Sequence, residues 1–367
     1  MDRRELLQFG AAAAASALST SALAQPAAAP PVFSKLRIDC YTRHLLWLHT
    51  AGDVADAINE MGYDGVDIAV RPGAMGHVDP ERVASDLPPF VATLRGAGLT
   101  VRMITCPILD ADSPFAEQLL DTASKLGIHH YWWGSFRYDQ HLPLNPQIDA
   151  LKPRVAKLAR LNEKYGMKAM YHTYSAATTV GSSIFDFLEV LRENDPRWVS
   201  FHYDTGHSVE AGGINTWTLG LRAAGPYIGG LAVKDSRIEL VPPAAVGTTA
   251  GGAPAGGRAA VAAAPNGAGR GGAGGGGAVV GTGFGPTPLP WRNVSVPLGT
   301  GLLNFPLLTQ ILQEIKFNGP VEIQSEYPNG GANNAQTTLT LPRAEVLGAM
   351  KRDLLVLRSA LGPTGLM

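Results

Sequence analysis

The sequence predicts a single (β/α)8 barrel over residues 36–361, and three observations predict it. Eight short runs of β-favouring residues alternate with amphipathic helical stretches, a pattern that calls for a parallel sheet covered by helices. Polar side chains gather where several of those runs end, the place where such barrels carry their chemistry. The first strand leads into Tyr41-Thr-Arg-His44 rather than the Gly-rich phosphate turn that an open doubly wound sheet usually shows.

The first strand is predicted at 36–41, with helix 53–61 starting on acidic residues and stopped by Gly62. Strand two covers 65–70. A Pro-initiated helix, 87–97, ends at Gly98 and leads into strand three, 99–105. Helix 115–126 ends at Gly127 and precedes strand four, 130–134. The long helix 147–165 stops at Gly166, and strand five is 168–172. Helix 183–192 precedes strand six, the apolar run from Trp198 that ends in Tyr203-Asp204-Thr205-Gly206-His207. Strand seven is 228–235. Helix 306–316, strand eight at 321–326 and helix 343–361 complete the repeat.

Two stretches fall outside that rhythm. Residues 1–24 hold Arg3-Arg4, a weakly hydrophobic Ala-rich middle and Ala22-Leu23-Ala24 before Gln25-Pro26, which together resemble a twin-arginine signal peptide cleaved near Ala24. Export to the periplasm is the expectation; a chance Arg pair beside an Ala-rich start is the alternative. Residues 244–285 are almost entirely Gly, Ala, Pro and Thr and hold much of the excess in a chain with 43 Gly. That composition buries no core, so a disordered insertion after strand seven is expected, with a flap over the site as the sharper reading.

A net charge of −1 with 17% charged residues excludes an electrostatic taste for nucleic acid. No apolar run reaches the roughly 20 residues of a membrane span, so a soluble mature protein is expected. Cys40 and Cys106 fall on strands one and three, which are not neighbours in a barrel, so no disulfide is expected.

Barrel strands alternate their side chains between interior and exterior, which brings His172 on strand five, Asp204 on six, Lys234 on seven and Gln324 or Glu326 on eight toward one mouth. For Asp204 the plainer reading is a cap on the following helix. His44, Trp132, Trp133 and Arg137 stand near other strand ends. Adjacent strand residues face opposite ways, so one of the two tryptophans belongs to the core.

At these residues the chain resembles the xylose isomerase-like TIM barrel superfamily, in particular its sugar phosphate isomerase and epimerase group. Asp204-Thr-Gly-His207, Val233-Lys-Asp235, Pro297-Leu-Gly-Thr-Gly-Leu-Leu-Asn304 and Gly319-Pro-Val-Glu-Ile-Gln-Ser-Glu-Tyr327 carry the likeness. The resemblance implies a divalent ion held by one ligand from each of strands five to eight. Here those positions are His172, Asp204, Ala232 where a histidine is usual, and Gln324 where a glutamate is usual. His207 and Glu326 are the candidates to complete a set with His172 and Asp204 for Mn, Zn, Mg or Co.

Proton abstraction beside a sugar carbonyl needs a base near the carbon and a cation near the developing enolate. Glu326 or His172 suits the first role, Lys234 the second, and Gln324 joins His44, Trp132 and Arg137 as a substrate contact. A structural Lys234–Glu326 ion pair is the bland alternative. The expected activity is that of a periplasmic sugar isomerase or epimerase acting on a neutral sugar or glycoside. A lyase or hydrolase of oxidised (keto) glycosides and a catalytically silent sugar-binding barrel are its rivals.

Overall fold

A computed structural model describes residues 35–240, 291–329 and 335–367. Eight parallel strands close on themselves: β1 (Ile38–Tyr41), β2 (Gly65–Ala69), β3 (Thr100–Thr105), β4 (His130–Trp133), β5 (Lys168–His172), β6 (Val199–Asp204), β7 (Ile228–Val233) and, after a detour, β10 (Val321–Ile323), which pairs with both β7 and β1. The (β/α)8 barrel is therefore present. Helices α1 (Ala51–Met61), α2 (Val83–Gly96), α3 (Ala116–Lys125), α4 (Leu144–Tyr165), α5 (Phe185–Leu191), α6 (Thr205–Ala224), α7 (Phe305–Glu314) and α8 (Arg343–Leu361) surround it.

The amphipathic patterns explain the packing. Helix α1 buries Val54, Ala55, Ala57, Ile58 and Met61, which recur at helical spacing, and ends on Gly62 at φ 90°, the left-handed cap that glycine adopts without strain. Trp133, Tyr171, Phe187 and Phe201 form one aromatic knot between the strands and the outer helices. Trp132 faces the other way, as the strand alternation requires. Cys40 and Cys106 are buried and free. Among the described residues no helix is long and apolar enough to cross a membrane.

Three predicted elements are corrected, and one helix is added. Helix α2 starts at Val83 rather than 87: it follows directly on a 3-10 turn, Pro80–Arg82, capped by Asp79, whose carboxylate accepts from the Glu81 amide at 3.0 Å, and Pro88 and Pro89 lie inside the helix. Strand seven stops at Val233 and strand eight at Ile323. The sequence reading has no helix between strands six and seven, yet α6 fills that gap. Gly206, Gly212, Gly213 and Gly220 lower its helical propensity, and Gly213 breaks the helical backbone at φ 64°.

Past Lys234 the chain leaves the barrel as an antiparallel pair, β8 (Asp235–Leu240) with β9 (Trp291–Val296), in register from Asp235↔Val296 to Leu240↔Trp291. The predicted signal peptide and the Gly/Ala-rich stretch 244–285 both lie outside the described residues. Asp235 staples this detour to the barrel. Its carboxylate accepts from the backbone amides of Gly299, Gly301 and Leu303 at 2.9–3.1 Å, and a Cβ on Gly301 would strike it. The segment 297–304 that carried part of the resemblance is thus a loop wrapped on one buried carboxylate beside Lys234, and Asn304 caps α7 by accepting from the Leu307 amide.

Candidate functional site

The C-terminal ends of β5, β6, β7 and β10 bring four chemically active side chains together. His172 ends β5 and Asp204 ends β6; Lys234 directly follows β7, and Glu326 lies three residues past β10. All four are buried, Asp204 completely and Glu326 at 8% exposure.

Asp204 performs both jobs weighed for it. One carboxylate oxygen caps α6 by accepting from the His207 amide at 2.7 Å. The other has no hydrogen-bond partner and faces His172 Nε2 at 3.5 Å and Lys234 Nζ at 3.4 Å. A capping interaction therefore aims the remaining oxygen into the barrel mouth.

Lys234 is the hub of the cluster. Its Nζ donates to Glu326 Oε2 at 2.8 Å and lies 3.0 Å from His207 Nε2. Its backbone is clamped by Thr205, whose hydroxyl donates to the Lys234 carbonyl (2.6 Å) and accepts from the Lys234 amide (2.9 Å). The side-chain stem runs across Gly206, where a Cβ would come within 2.9 Å of the Lys234 methylenes. Burial presses on the ammonium, yet Asp204, Glu326 and Glu210 prevail and hold the lysine well above its ordinary pKa. The same contact acts on Glu326: burial would raise its carboxyl, but Lys234, His207 and Arg43 hold it down to about 2.

The histidines are ordered by similar pairings. Burial, reinforced by His202, His207, Lys234 and Arg71, pushes His172 well below the usual histidine range, so it is neutral. Its Nδ1 meets His202 Nδ1 at 3.3 Å. His207 Nδ1 lies 3.0 Å from Glu210, which also accepts from the Ser175 hydroxyl at 2.7 Å. Burial and the Lys234 ammonium press on the charged form of His207, yet Asp204 and Glu210 raise its pKa above the ordinary value.

Ligand atoms of His172, Asp204 and His207 lie within 4.8 Å of one another, a donor set of the type that divalent ions take. Glu326, predicted as a fourth ligand, is outside that group because its carboxylate is held by Lys234. His207 Nε2 and Asp204 Oδ2 lie 3.0 and 3.4 Å from the Lys234 ammonium, so an ion about 2.1 Å from both would stand within about 5 Å of that charge. Repulsion between +2 and +1 at that distance is on the order of 10 kcal/mol even at an effective dielectric of about 20. With Lys234 seated, these residues do not fit a divalent ion.

The remaining predicted residues divide. Trp132 is at the site, its ring 5.5 Å from His172 and beneath the Arg71 guanidinium at 4.2 Å. Gln324 turns its amide toward Glu322, donating at 2.7 Å. Arg137 binds the hydroxyls of Thr178 and Thr179 in the loop after β5. His44 packs edge-on against Tyr41 at 5.5 Å. Ala232, where the resemblance leads one to expect histidine, sits beside Asp204 in the β6–β7 register and contributes only a methyl group.

Sequence reading missed Arg71, two residues past β2, and Arg43, two past β1, whose Nη1 is 3.9 Å from Glu326. The strand-end rule that selected Asp204 applies equally to both. It also missed Tyr174, whose ring lies 4.7 Å from His172, and Glu210, hidden in the unrecognised α6.

A closed eight-stranded parallel barrel with a His–Asp–Lys–Glu cluster at its C-terminal mouth defines a class of barrel built to act on small molecules. The chain belongs to the xylose isomerase-like TIM barrel family, whose model matches residues 55–347. It is similar in structure to a D-psicose 3-epimerase from Clostridium cellulolyticum H10 solved with D-tagatose, at 13% identity and a TM-score of 0.58, covering 89% of this chain and 99% of that one. It is also similar to the IOLI protein solved with a zinc atom, at 12% identity and a TM-score of 0.56, covering 88% and 99%. A 3-keto-D-glucoside 4-epimerase from E. coli, solved in apo form, gives 13% identity and a TM-score of 0.55 over 89% and 100%. At such identities the likeness is one of fold. No curated protein sequence matches the chain.

Proposed function

We propose that the chain is a sugar isomerase or epimerase that removes the proton next to a sugar carbonyl. The carrying observation is the buried Lys234–Glu326 pair at 2.8 Å, which sets a carboxylate and an ammonium side by side where a bound carbonyl compound reaches both. Trp132, with the Arg71 guanidinium over its ring, sets an aromatic wall and a cation beside His172, a lining suited to a sugar and its hydroxyls. The D-psicose 3-epimerase and the 3-keto-D-glucoside 4-epimerase among the similar structures favour the same chemistry. The substrate is a small sugar or glycoside.

Deuterium exchange tests this reading directly. Incubated in heavy water with a panel of ketoses, aldoses and 3-keto-glycosides, the purified protein is expected to place deuterium at a carbon adjacent to the carbonyl of at least one sugar, read by proton NMR. Binding of panel sugars without any exchange would instead establish the silent binding barrel.

A second reading, a divalent ion (Mn, Zn, Mg or Co) held by His172, Asp204 and His207, is favoured by the buried Asp204 oxygen that lacks a hydrogen-bond partner. It requires Lys234 to withdraw.

We also propose that the protein is exported to the periplasm, on the strength of Arg3-Arg4 and Ala22-Leu23-Ala24. Replacing both arginines by lysine is expected to leave the precursor in the cytoplasm, and an unchanged periplasmic yield would rule the route out.

A further inference from the structure

We infer that the Lys234 ammonium occupies the cation position of the His172–Asp204–His207 donor set, so that the charge meeting the developing enolate is a lysine built into the chain. The inference rests on the sugar isomerase or epimerase reading for its chemistry, but its structural core stands on geometry alone.

Three independent features seat the lysine there. Its Nζ is within 3.4 Å of Asp204, 3.0 Å of His207 and 2.8 Å of Glu326, so it touches two members of the donor set and the neighbouring carboxylate at once. The stem lies in a groove that exists only because position 206 is glycine, and Thr205 holds the backbone from which the stem departs. On β7, Ala232 leaves the space beside Asp204 free of an imidazole that would compete for the same centre. A Lys234 merely passing through the site would need neither the groove nor the missing side chain.

The chemistry balances without a metal or redox partner. Glu326 takes the proton from the carbon next to the carbonyl; the C–H pair becomes the C=C bond, and the carbonyl π pair moves onto oxygen as an enolate paired with the Lys234 ammonium. As Lys234 turns toward that oxygen it leaves Glu326, which thereby gains proton affinity at the moment it accepts the proton. In an epimerisation Glu326 releases its proton to solvent and a water on the opposite face protonates the same carbon; in an isomerisation Glu326 returns the proton to the former carbonyl carbon while the hydroxyl proton of the adjacent carbon passes through solvent to the enolate oxygen, and in both cases substrate and product are isomers.

Cobalt is the probe. The full-length wild-type protein, purified without chelator, is expected to hold well under one equivalent of any divalent metal, to show no d–d absorption with added Co2+, and to keep its exchange activity after EDTA. Lys234→Ala is expected to bind about one equivalent of Co2+ with visible absorption and to lose exchange by about a hundred- to a thousandfold. A stoichiometric metal in the wild type, activity abolished by EDTA and restored by metal, or a folded Lys234→Ala that takes no Co2+ would each overturn the inference. If Lys234→Ala fails to fold, judged by circular dichroism, the wild-type metal content and chelation results decide alone. If no sugar exchanges yet the Co2+ pattern is as expected, the sugar reading fails and the placement of Lys234 stands.

Discussion

Asp204→Ala is expected to leave a folded barrel whose exchange of the carbonyl-adjacent proton falls by about a hundred- to a thousandfold. The substitution removes the oxygen that faces Lys234 and His172, and with it one of the charges that fixes the ammonium in place. Preorganised electrostatics of this sort contribute about 3–4 kcal/mol to a transition state when a single group is removed. Stability should fall by about 1–2 kcal/mol, the worth of the α6 cap, because the buried Lys234 ammonium, though it loses Asp204, keeps Glu326 as its partner at 2.8 Å. Asp204→Asn separates the two roles: its carbonyl oxygen still accepts from His207, so the melting temperature stays near that of the wild type while turnover remains low. Measuring kcat/KM beside thermal unfolding for both variants checks this, and an Asp204→Asn enzyme within tenfold of wild type would remove the carboxylate charge from the mechanism.

The largest effect on stability is expected from Arg102→Leu. Toward the opposite end of the barrel from the cluster, Arg102 on β3 binds the fully buried Asp39 on β1 through two contacts, Nε to Oδ2 at 3.1 Å and Nη2 to Oδ1 at 2.6 Å, and also donates to the Arg37 carbonyl at 2.8 Å. Removing one partner of a buried pair leaves an uncompensated charge and costs about 3–5 kcal/mol, which in a domain of this size lowers the melting temperature by roughly 10 °C. The loss should depend on pH. Burial already raises Asp39 to about 6 despite Arg102, and without the arginine its pKa climbs further. A carboxyl whose folded pKa exceeds its unfolded value near 3.8 favours folding at low pH and forfeits that contribution as the pH rises through the folded pKa. The deficit is therefore expected to be greater at pH 8 than at pH 5. Equal deficits in thermal unfolding at the two pH values would show that lost packing, rather than a stranded charge, is the cause.

Local patterning carried most of the fold. Strand β5 and helix α8 stand at their predicted limits because each has an unbroken apolar period and a clean boundary: Gly166 before the one, and Pro342 before and Gly362 after the other. Helix α6 was invisible because its glycines suppress the propensity signal, and tertiary burial of Val209, Trp217 and Leu221 supplies the stability instead. The excursion of β8 and β9 was read as the tail of strand seven, since a chain that stays extended while changing partners leaves no mark on a period of two.

The site was legible in its membership but not in its contacts. Strand-end position found Asp204, His172, Lys234 and Glu326. Nothing in the spacing reveals that Lys234 bends across Gly206 onto His207, because a four-carbon stem reaches many places and only the packing selects one. Gln324 shows the converse: it shares strand-eight phase with Glu326, yet the chain turns directly after it, the Glu326 amide donating to the Gln324 carbonyl at 3.0 Å, so the two side chains part. Ser325 between them is fixed by Asp353 of α8, to which its hydroxyl donates at 3.0 Å.

The ladder between β8 and β9 makes length a neutral character at one point of this protein. Leu240 and Trp291 are cross-strand partners, so the polypeptide departs and returns at points about 5 Å apart whatever lies between. The entropic cost of closing such an excursion rises by only about 0.6 kcal/mol for each doubling of its length. Asp235 holds the base of the ladder against the barrel, which keeps any change in the excursion from reaching Lys234. A reporter domain grafted between the cross-strand partners Leu240 and Trp291 is therefore expected to cost little stability, read as an unchanged thermal unfolding of the barrel.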